Sequence, residues 1–464
     1  MYGPRRDERD LEILQGADVS STGETRTDGG RKKVVIVGGG FGGVRAAKAL
    51  AHADVDVTLV DRTNHHLFQP LLYQVATGIL SPGLIAPALR RVVKSQRNTR
   101  TLLAEVYDID LAGKVVKSLG PNEQHIDLPY DYLVVAGGAG HAYFGHDEWA
   151  QFAPGMKSIE DARMLRSQIL GSYELAEIAT DEKERAAYLT FVVVGAGPTG
   201  VEITGQLSEL AQYVLPKEYR SIDTREARII LLDAAPSVLP PFAPKLQKYT
   251  QRRLEKMGVE IRLNTAATDM DAETITVKGP KGVDTITAKT KIWAAGVQAS
   301  PLAKVLAAAT GTETDRAGRL AVDPDCSVPG ADGVYAIGDM VSTVDRLPGV
   351  AQVAMQQGTY VGKLITNRLK GDETTPAPFK YFDKGSMATI GAREAVADAM
   401  GVKVTGWLAY LMWCYVHVMF LIGWGNRFGT LYNWVRSLRY ARNRGHRLID
   451  MTGAKAVAEH HEAA

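Results

Sequence analysis

The chain has 464 residues, 45% of them hydrophobic, which is enough for two or three domains with cores of their own. Its 54 Lys and Arg balance 52 Asp and Glu to a net charge of +2, so no chain-wide field marks it for a polyanion. Two cysteines, Cys326 and Cys414, lie far apart and in no metal-ligand spacing, which argues against a disulfide framework or a zinc site.

Residues 1–30 are polar, mixed in charge and without the apolar run of a secretory signal, and they read as a disordered extension. At residue 31 the pattern changes. "VVIVGGGFGGVR" (residues 34–45) is a run long enough for a buried parallel strand, closing on Gly38, Gly40 and Gly43 at GxGxxG spacing and opening into a helical stretch. In such a βαβ unit the first glycine makes the turn, the second lets backbone approach a pyrophosphate, and the third lets helix and strand pack closely. "VDVTLVD" follows as the next strand, ending on Asp61 at about the 20-residue distance of a ribose-binding carboxylate. "YDYLVVAGGAG" (residues 130–140) is a further buried strand ending in small residues.

The same series then repeats. "FVVVGAGPTGVE" (residues 191–202) carries Gly195, Gly197 and Gly200, and "ARIILLD" ends on Asp233. The interval is longer here, and the inserted "LSELAQYVLPKEYRSIDTRE" reads as an extended helix and loop. Asp233 is suited to accept from a ribose 2′-hydroxyl and to repel a 2′-phosphate, which favours NADH over NADPH. "KIWAAGVQAS" (residues 291–300) matches the close of the first unit, so the two units read as an internal duplication with one nucleotide each. The expected fold is α/β, with two Rossmann-like dinucleotide-binding domains. "GVYAIGDMV" (residues 333–341) is then a short strand ending in Gly338 and Asp339, followed by a helix containing "AQVAMQQGTYVGKLI".

Two glycine loops with their acids and a returning strand ending in GD resemble the two-dinucleotide-fold flavoprotein reductases. That resemblance implies FAD in the first unit, NAD(P)H in the second, which Asp233 narrows to NADH, and Asp339 holding the ribityl and phosphate portion of the flavin. The units run 31–155 and 156–311, and by the resemblance the chain returns to the first, so 31–155 with 312–390 is expected to bind FAD and 156–311 NADH. No cysteine pair is present to relay electrons, and no cysteine or histidine sits in a flavinylation motif, so FAD is expected to be non-covalent.

"HHLFQPLLYQVATG" (residues 65–78), "AQVAMQQG" (351–358) and "DKGSMATIG" (383–391) together resemble the type II NADH:quinone oxidoreductases, single-subunit and non-pumping, with the mycobacterial type most similar. By that resemblance Gln352, Lys384 and Met387 line the quinone tunnel. Gln356, four residues after Gln352, shares its helix face, so both amides could point toward flavin and quinone. Each residue also has a plainer reading: Gln356 as a solvated helix residue, Lys384 as a surface lysine, Met387 as core filling. Glu202 is placed inside the first turn of its helix, where the dipole favours a carboxylate. The resemblance adds a place near nicotinamide and flavin, orienting NADH or passing protons.

The C-terminal region, 391–464, is read as helical and membrane-anchoring. "GWLAYLMWCYVHVMFLIGWG" (residues 406–425) is apolar nearly all round and marginal in length for a span. His417 within it is read as a satisfied interfacial histidine ahead of a proton relay. Next, Phe428, Leu431, Val435 and Leu438 fall on one helical face, with Arg436, Arg439 and Arg442 on the other, as suits an anionic membrane surface. No nucleic-acid motif accompanies them. Without a secretory signal the nucleotide domains are expected to stay in the cytoplasm, and the resemblance implies a monotopic protein resting on one leaflet of the cell membrane, with menaquinone as a candidate quinone and a homodimer as a candidate assembly. Two other readings stay open: a reductase of a soluble acceptor, and a membrane-tethered NADH sensor with little turnover.

Overall fold

The computed structural model describes residues 30–439 and 445–449, so the expected N-terminal extension lies almost wholly outside the described residues, as does Arg442. Strand β1 (Lys32–Val37), helix α1 (Phe41–Ala49) and strand β2 (Val55–Asp61) form the first unit, with β1 and β2 parallel and Val34 opposite Val57. Their alternating faces are both buried, which is why the runs are apolar throughout rather than alternating. A short helix α2 (Leu72–Ala76) follows, then β3 (Thr99–Leu103) beside β2 and β4 (Tyr132–Val135) beside β1. A three-stranded antiparallel meander occupies residues 105–129, and β5 (Ala139–His141) closes the unit.

The plan recurs. Helix α3 (Ile159–Ile178) leads to β6 (Thr190–Val194), α4 (Pro198–Glu209) and β7 (Arg228–Leu232), with Val194 opposite Leu232 in parallel register. The inserted stretch does extend α4, by a π-turn over Leu210–Val214, before looping back to β7. Strands β8 (Glu260–Arg262) and β9 (Thr290–Trp293) complete a sheet ordered β8-β7-β6-β9, and a second antiparallel meander occupies residues 266–287. Strand β10 (Val297–Ala299) then pairs antiparallel with β5, so the two small-residue segments clasp one another.

Strand β11 (Val334–Ala336) returns to the first sheet, giving the order β11-β4-β1-β2-β3. Helix α5 (Ala351–Leu369) packs on α1 so closely that a Cβ on Gly358 would stand 2.2 Å from the Gly42 carbonyl oxygen. Strands β12 (Ser386–Gly391), β13 (Glu394–Ala399) and β14 (Val402–Thr405) form an antiparallel sheet. The boundary expected at 390/391 therefore falls within a hairpin, where Met387 faces Ala397 in one register.

Helices α6 (Gly406–Phe420) and α7 (Trp424–Arg439) end the described chain. The apolar run 406–425, marginal in length for a span, leaves the helix after Phe420 and turns through Gly423, whose φ of +96° disfavours any other residue, and no described helix is long and apolar enough to cross a membrane. Instead each helix is divided. Trp413 and Trp434 point inward and are buried, while Leu408, Tyr415, Trp424, Phe428 and Val435 are exposed. Leu438, expected on that outer face, turns in against Ala395, Ala397 and Tyr410.

Candidate functional site

Both glycine loops show the division of labour that their spacing requires. Gly38 and Gly195 have φ of +104° and +108°, and a Cβ would lie 2.3 Å from the Ala136 oxygen in one and 2.7 Å from Ala294 carbon in the other. A Cβ on Gly43 or Gly200 would meet the carbonyl oxygen of its loop's own first glycine, at 1.8 and 1.7 Å. Gly40 and Gly197 have nothing within 4 Å on that side, and as N-caps they carry no side-chain cap. Each loop thus offers open space and unclaimed helix N–H groups, the arrangement suited to receiving a pyrophosphate.

The two acids are bound into their own glycine loops. Asp61 accepts from Gly39 N–H at 2.6 Å and from Thr63 N–H and Oγ1 at 2.6 and 2.7 Å. Asp233 accepts from Ala196 N–H at 2.5 Å and Ala235 N–H at 2.7 Å. In both copies the carboxylate at the strand end ties down the residue after the first glycine, so it shapes the loop it serves. His66, which the sequence singled out only within a motif, adds a contact of 2.9 Å from Nδ1 to the Gly39 carbonyl, and burial keeps its pKa low and its ring neutral.

Gly338, at φ +79°, and Asp339 border a small cavity shared with Arg319, Thr343, Gly349 and Gln357. Burial raises the Asp339 pKa against the pull of Lys157 and Arg319, and no described donor reaches its carboxylate. Gln357 was not foreseen. It is fully buried, its Oε1 accepts from Gly338 N–H at 2.8 Å, and its Nε2 has no partner among the described residues. An acceptor and a donor, both without hydrogen-bond partners among the described residues, thus line one cavity. That set fits the hydroxyl-bearing and phosphate portions of FAD.

The neighbouring glutamines part company. Gln352, half-buried in the first turn of α5, makes no hydrogen bond with a described residue. Gln356 does not join it: Nε2 donates to the Phe382 carbonyl and Oε1 accepts from Phe382 N–H, each at 3.0 Å. The expectation that both amides point into the site is corrected accordingly. Gln356 instead pins to α5 the segment that leads into β12. Lys384 in that segment is exposed, with its ammonium 5.8 Å from the centroid of the Phe420 ring, and Met387 is half-buried on β12.

Glu202 also differs from expectation. Pro198 occupies the first helical position, so Glu202 lies in the second turn, beyond the reach assumed for the dipole. It faces β12, where Thr389 N–H donates to Oε1 at 3.4 Å. The approach depends on Gly205, whose Cβ would stand 1.7 Å from the Ile390 carbonyl oxygen. Glu202 is 9% exposed, and burial pushes its pKa up to about 8, only partly opposed by the Thr389 N–H. The site therefore holds a proton near neutral pH in a group able to give it up.

Other titratable groups are quieter. Burial pushes both thiols, Cys326 and Cys414, up to about 12, and both are free. His417 Nδ1 lies 2.7 Å from the Trp413 carbonyl, and burial lowers its pKa to about 4, so it stays neutral rather than relaying protons.

Residues 32–358 match a family model described as pyridine nucleotide-disulphide oxidoreductase, and residues 384–443 match one described as the NDH2 C-terminal domain. The chain is 52% identical over 418 residues to the type II NADH:quinone oxidoreductase NdhA of Mycobacterium tuberculosis, covering 89% of this chain and 88% of that one. It is 31% identical over 391 residues to the type II NADH:quinone oxidoreductase of Staphylococcus haemolyticus, covering 82% and 93%. Among solved structures, NDH2 from Plasmodium falciparum in complex with NADH superposes with a TM-score of 0.81 at 21% identity, over 89% of this chain and 99% of that one, a likeness of fold.

Proposed function

Because the chain belongs to the type II NADH:quinone oxidoreductases, we propose that its two glycine loops and the α4–β12 contact divide one two-electron reaction between a donor side and an acceptor side. The protein oxidises NADH and reduces quinone by way of FAD, without pumping protons. FAD, when bound, takes hydride from NADH and passes two electrons to quinone.

The chain's own residues bind, orient and hold a proton. Gly38, Gly40 and Gly43 with Asp61 receive the FAD pyrophosphate and ribose, and Asp339 and Gln357 receive its hydroxyl-bearing portion. Gly195, Gly197 and Gly200 with Asp233 do the same for NADH. Glu202, neutral at pH 7, keeps a proton on its carboxyl between the second loop and β12. Gln352, Met387 and Lys384 form the acceptor side, where the unbonded Gln352 amide is available to a quinone carbonyl. Gln356 supports this side indirectly, through Phe382.

The observation that carries the reading is the buried acid: Glu202 stands on the helix opened by the NADH loop and touches the strand that bears Met387. Quinone is reached from the membrane, on which the exposed apolar faces of α6 and α7 rest from the cytoplasmic side. Arg427 is occupied, donating to the Leu421 and Met419 carbonyls, so attraction to anionic lipid falls to Arg436 and its neighbours. Menaquinone and a homodimer follow the mycobacterial resemblance, and are read out by quinone competition and light scattering.

The test is steady-state NADH oxidation by the full chain loaded with FAD. Turnover is expected to need an added quinone analogue and to exceed that with oxygen or a ferredoxin. Faster turnover with a soluble acceptor favours the soluble reductase, and binding without turnover favours the sensor.

A further inference from the structure

Between α7 and Glu202 runs a line of buried polar side chains for which electron transfer has no use. Trp434, facing inward from α7, donates its indole N–H to Gln74 Oε1 at 2.7 Å. Gln74 Nε2 donates to Tyr73 Oη at 3.0 Å, and Tyr73 Oη lies 2.8 Å from Thr389 Oγ1. Thr389 then donates its backbone N–H to Glu202. All five residues are buried, and they come from α7, α2, β12 and α4. The link from Trp434 to Gln74 spans 360 residues of sequence, so only the docked C-terminal helix completes the line.

Its first two links have a fixed polarity. An indole N–H only donates, so Gln74 must turn its oxygen to Trp434 and its amide N–H to Tyr73. Tyr73 Oη accepts from Gln74 and shares a further hydrogen bond with Thr389 Oγ1, in which either oxygen can donate. A side-chain amide between indole and phenol passes no protons at ordinary cost, so the line is not a proton wire. It fixes direction and position in a low-dielectric interior, where a filled network is rigid and a broken one costly.

We propose that Trp434, Gln74, Tyr73 and Thr389 form a positioning relay through which the seating of α7 sets the hydrogen bonding of Glu202. The outer face of α7 carries exposed Trp424, Phe428 and Val435, so a surface that grips this helix bears directly on the relay. Its consequence, a link between lipid contact and proton handling, rests on the role proposed above for Glu202.

The surroundings of Glu202 make the relay's effect readable. Of the elements packed on α4, β6 and β12 carry no ionisable side chain, α2 carries only Tyr73, and β7 only Arg228 at its exposed start. The π-turn Leu210–Val214 carries only the exposed Tyr213, and Glu209 on α4 itself accepts from Ala392 N–H. Tyr410 of α6 bears on Tyr73. The Thr389 N–H stabilises the carboxylate form of Glu202, so loosening it raises the pKa further above about 8.

The test uses the full chain with FAD and titrates Glu202 directly by difference infrared spectroscopy, following the carboxylic C=O band that disappears in Glu202→Gln. Trp434→Phe, which keeps a ring but loses the donor, and Tyr73→Phe are each expected to raise the midpoint, by up to about one unit. The double variant should shift no further than either single one, because both cut the same line. Gln74→Met, close in volume, gives the same shift by an independent cut and stands in if Trp434→Phe folds poorly. An unchanged midpoint in folded Trp434→Phe or Gln74→Met with wild-type flavin content, or single shifts that add, overturns the relay. If the band shifts while the pH profile of quinone-dependent turnover does not, the relay holds and the proton role of Glu202 fails.

Discussion

A carboxylic acid stays neutral near pH 7 only where burial outweighs its hydrogen bonds, and Glu202 meets that condition. Its folded pKa of about 8 lies above the unfolded value of about 4.3, so between those limits the folded state holds the proton more firmly. The resulting stability is present below the unfolded pKa and is lost as pH rises toward 8. Glu202→Gln removes this loss, so unfolding measured against pH should show the variant gaining on wild type from pH 5 to 8, by at most about 1.4 kcal/mol per unit. A constant difference across that range would mean that Glu202 titrates normally. Asp233→Asn is expected to narrow the kcat/KM preference for NADH over NADPH by about 10- to 100-fold, the worth of a charge-assisted hydrogen bond. An unchanged ratio would remove Asp233 from the ribose site. The glycines and both acids were legible in the sequence because a local turn dictates their spacing. The fates of the glutamines were not: helical period places Gln352 and Gln356 on one face, but the backbone that captures Gln356 lies 26 residues away. Gln74, Tyr73 and Thr389 were hidden likewise, polar groups in apolar runs whose partners arrive from distant segments.

At the scale of elements, duplication was the strongest signal, since two buried strands, a glycine loop and an acid recur in one order. What sequence could not supply was the meeting of α4 and β12, because it depends on the bare backbone of Gly205 against Ile390. Gly205→Ala should separate the two, costing about 1–3 kcal/mol by overpacking. Chemical denaturation should register the loss, and the infrared midpoint of Glu202 should move with it. Wild-type stability in that variant would contradict the tight contact. The break between α6 and α7 escaped notice because Leu421 and Ile422 continue the apolar pattern, and only Gly423 marks the turn. Counting an apolar run gave its length without its bend.

For the molecule as a whole, the division of α6 and α7 into buried and exposed faces decides how the membrane is met. Trp413, Leu421 and Trp434 belong to the main core, so deleting residues from 406 onward would disturb the fold as well as the anchor. Substitutions on the outer face are the cleaner probe. Phe428→Ser with Trp424→Ser should weaken sedimentation with anionic vesicles at least about tenfold, given about 1.5–3 kcal/mol for each large apolar side chain withdrawn from lipid. Turnover with a water-soluble quinone analogue should remain. Unaltered vesicle binding would place the membrane contact elsewhere.

The division into donor and acceptor sides is tested most directly by rapid mixing, with flavin absorbance followed separately during reduction by NADH and reoxidation by quinone. In Met387→Trp, or Gln352→Leu, reoxidation is expected to slow by up to about tenfold while reduction stays near the wild-type rate, the scale of one lost neutral hydrogen bond. Slowed reduction with intact reoxidation in these variants would contradict the assignment and move the quinone site away from α5 and β12.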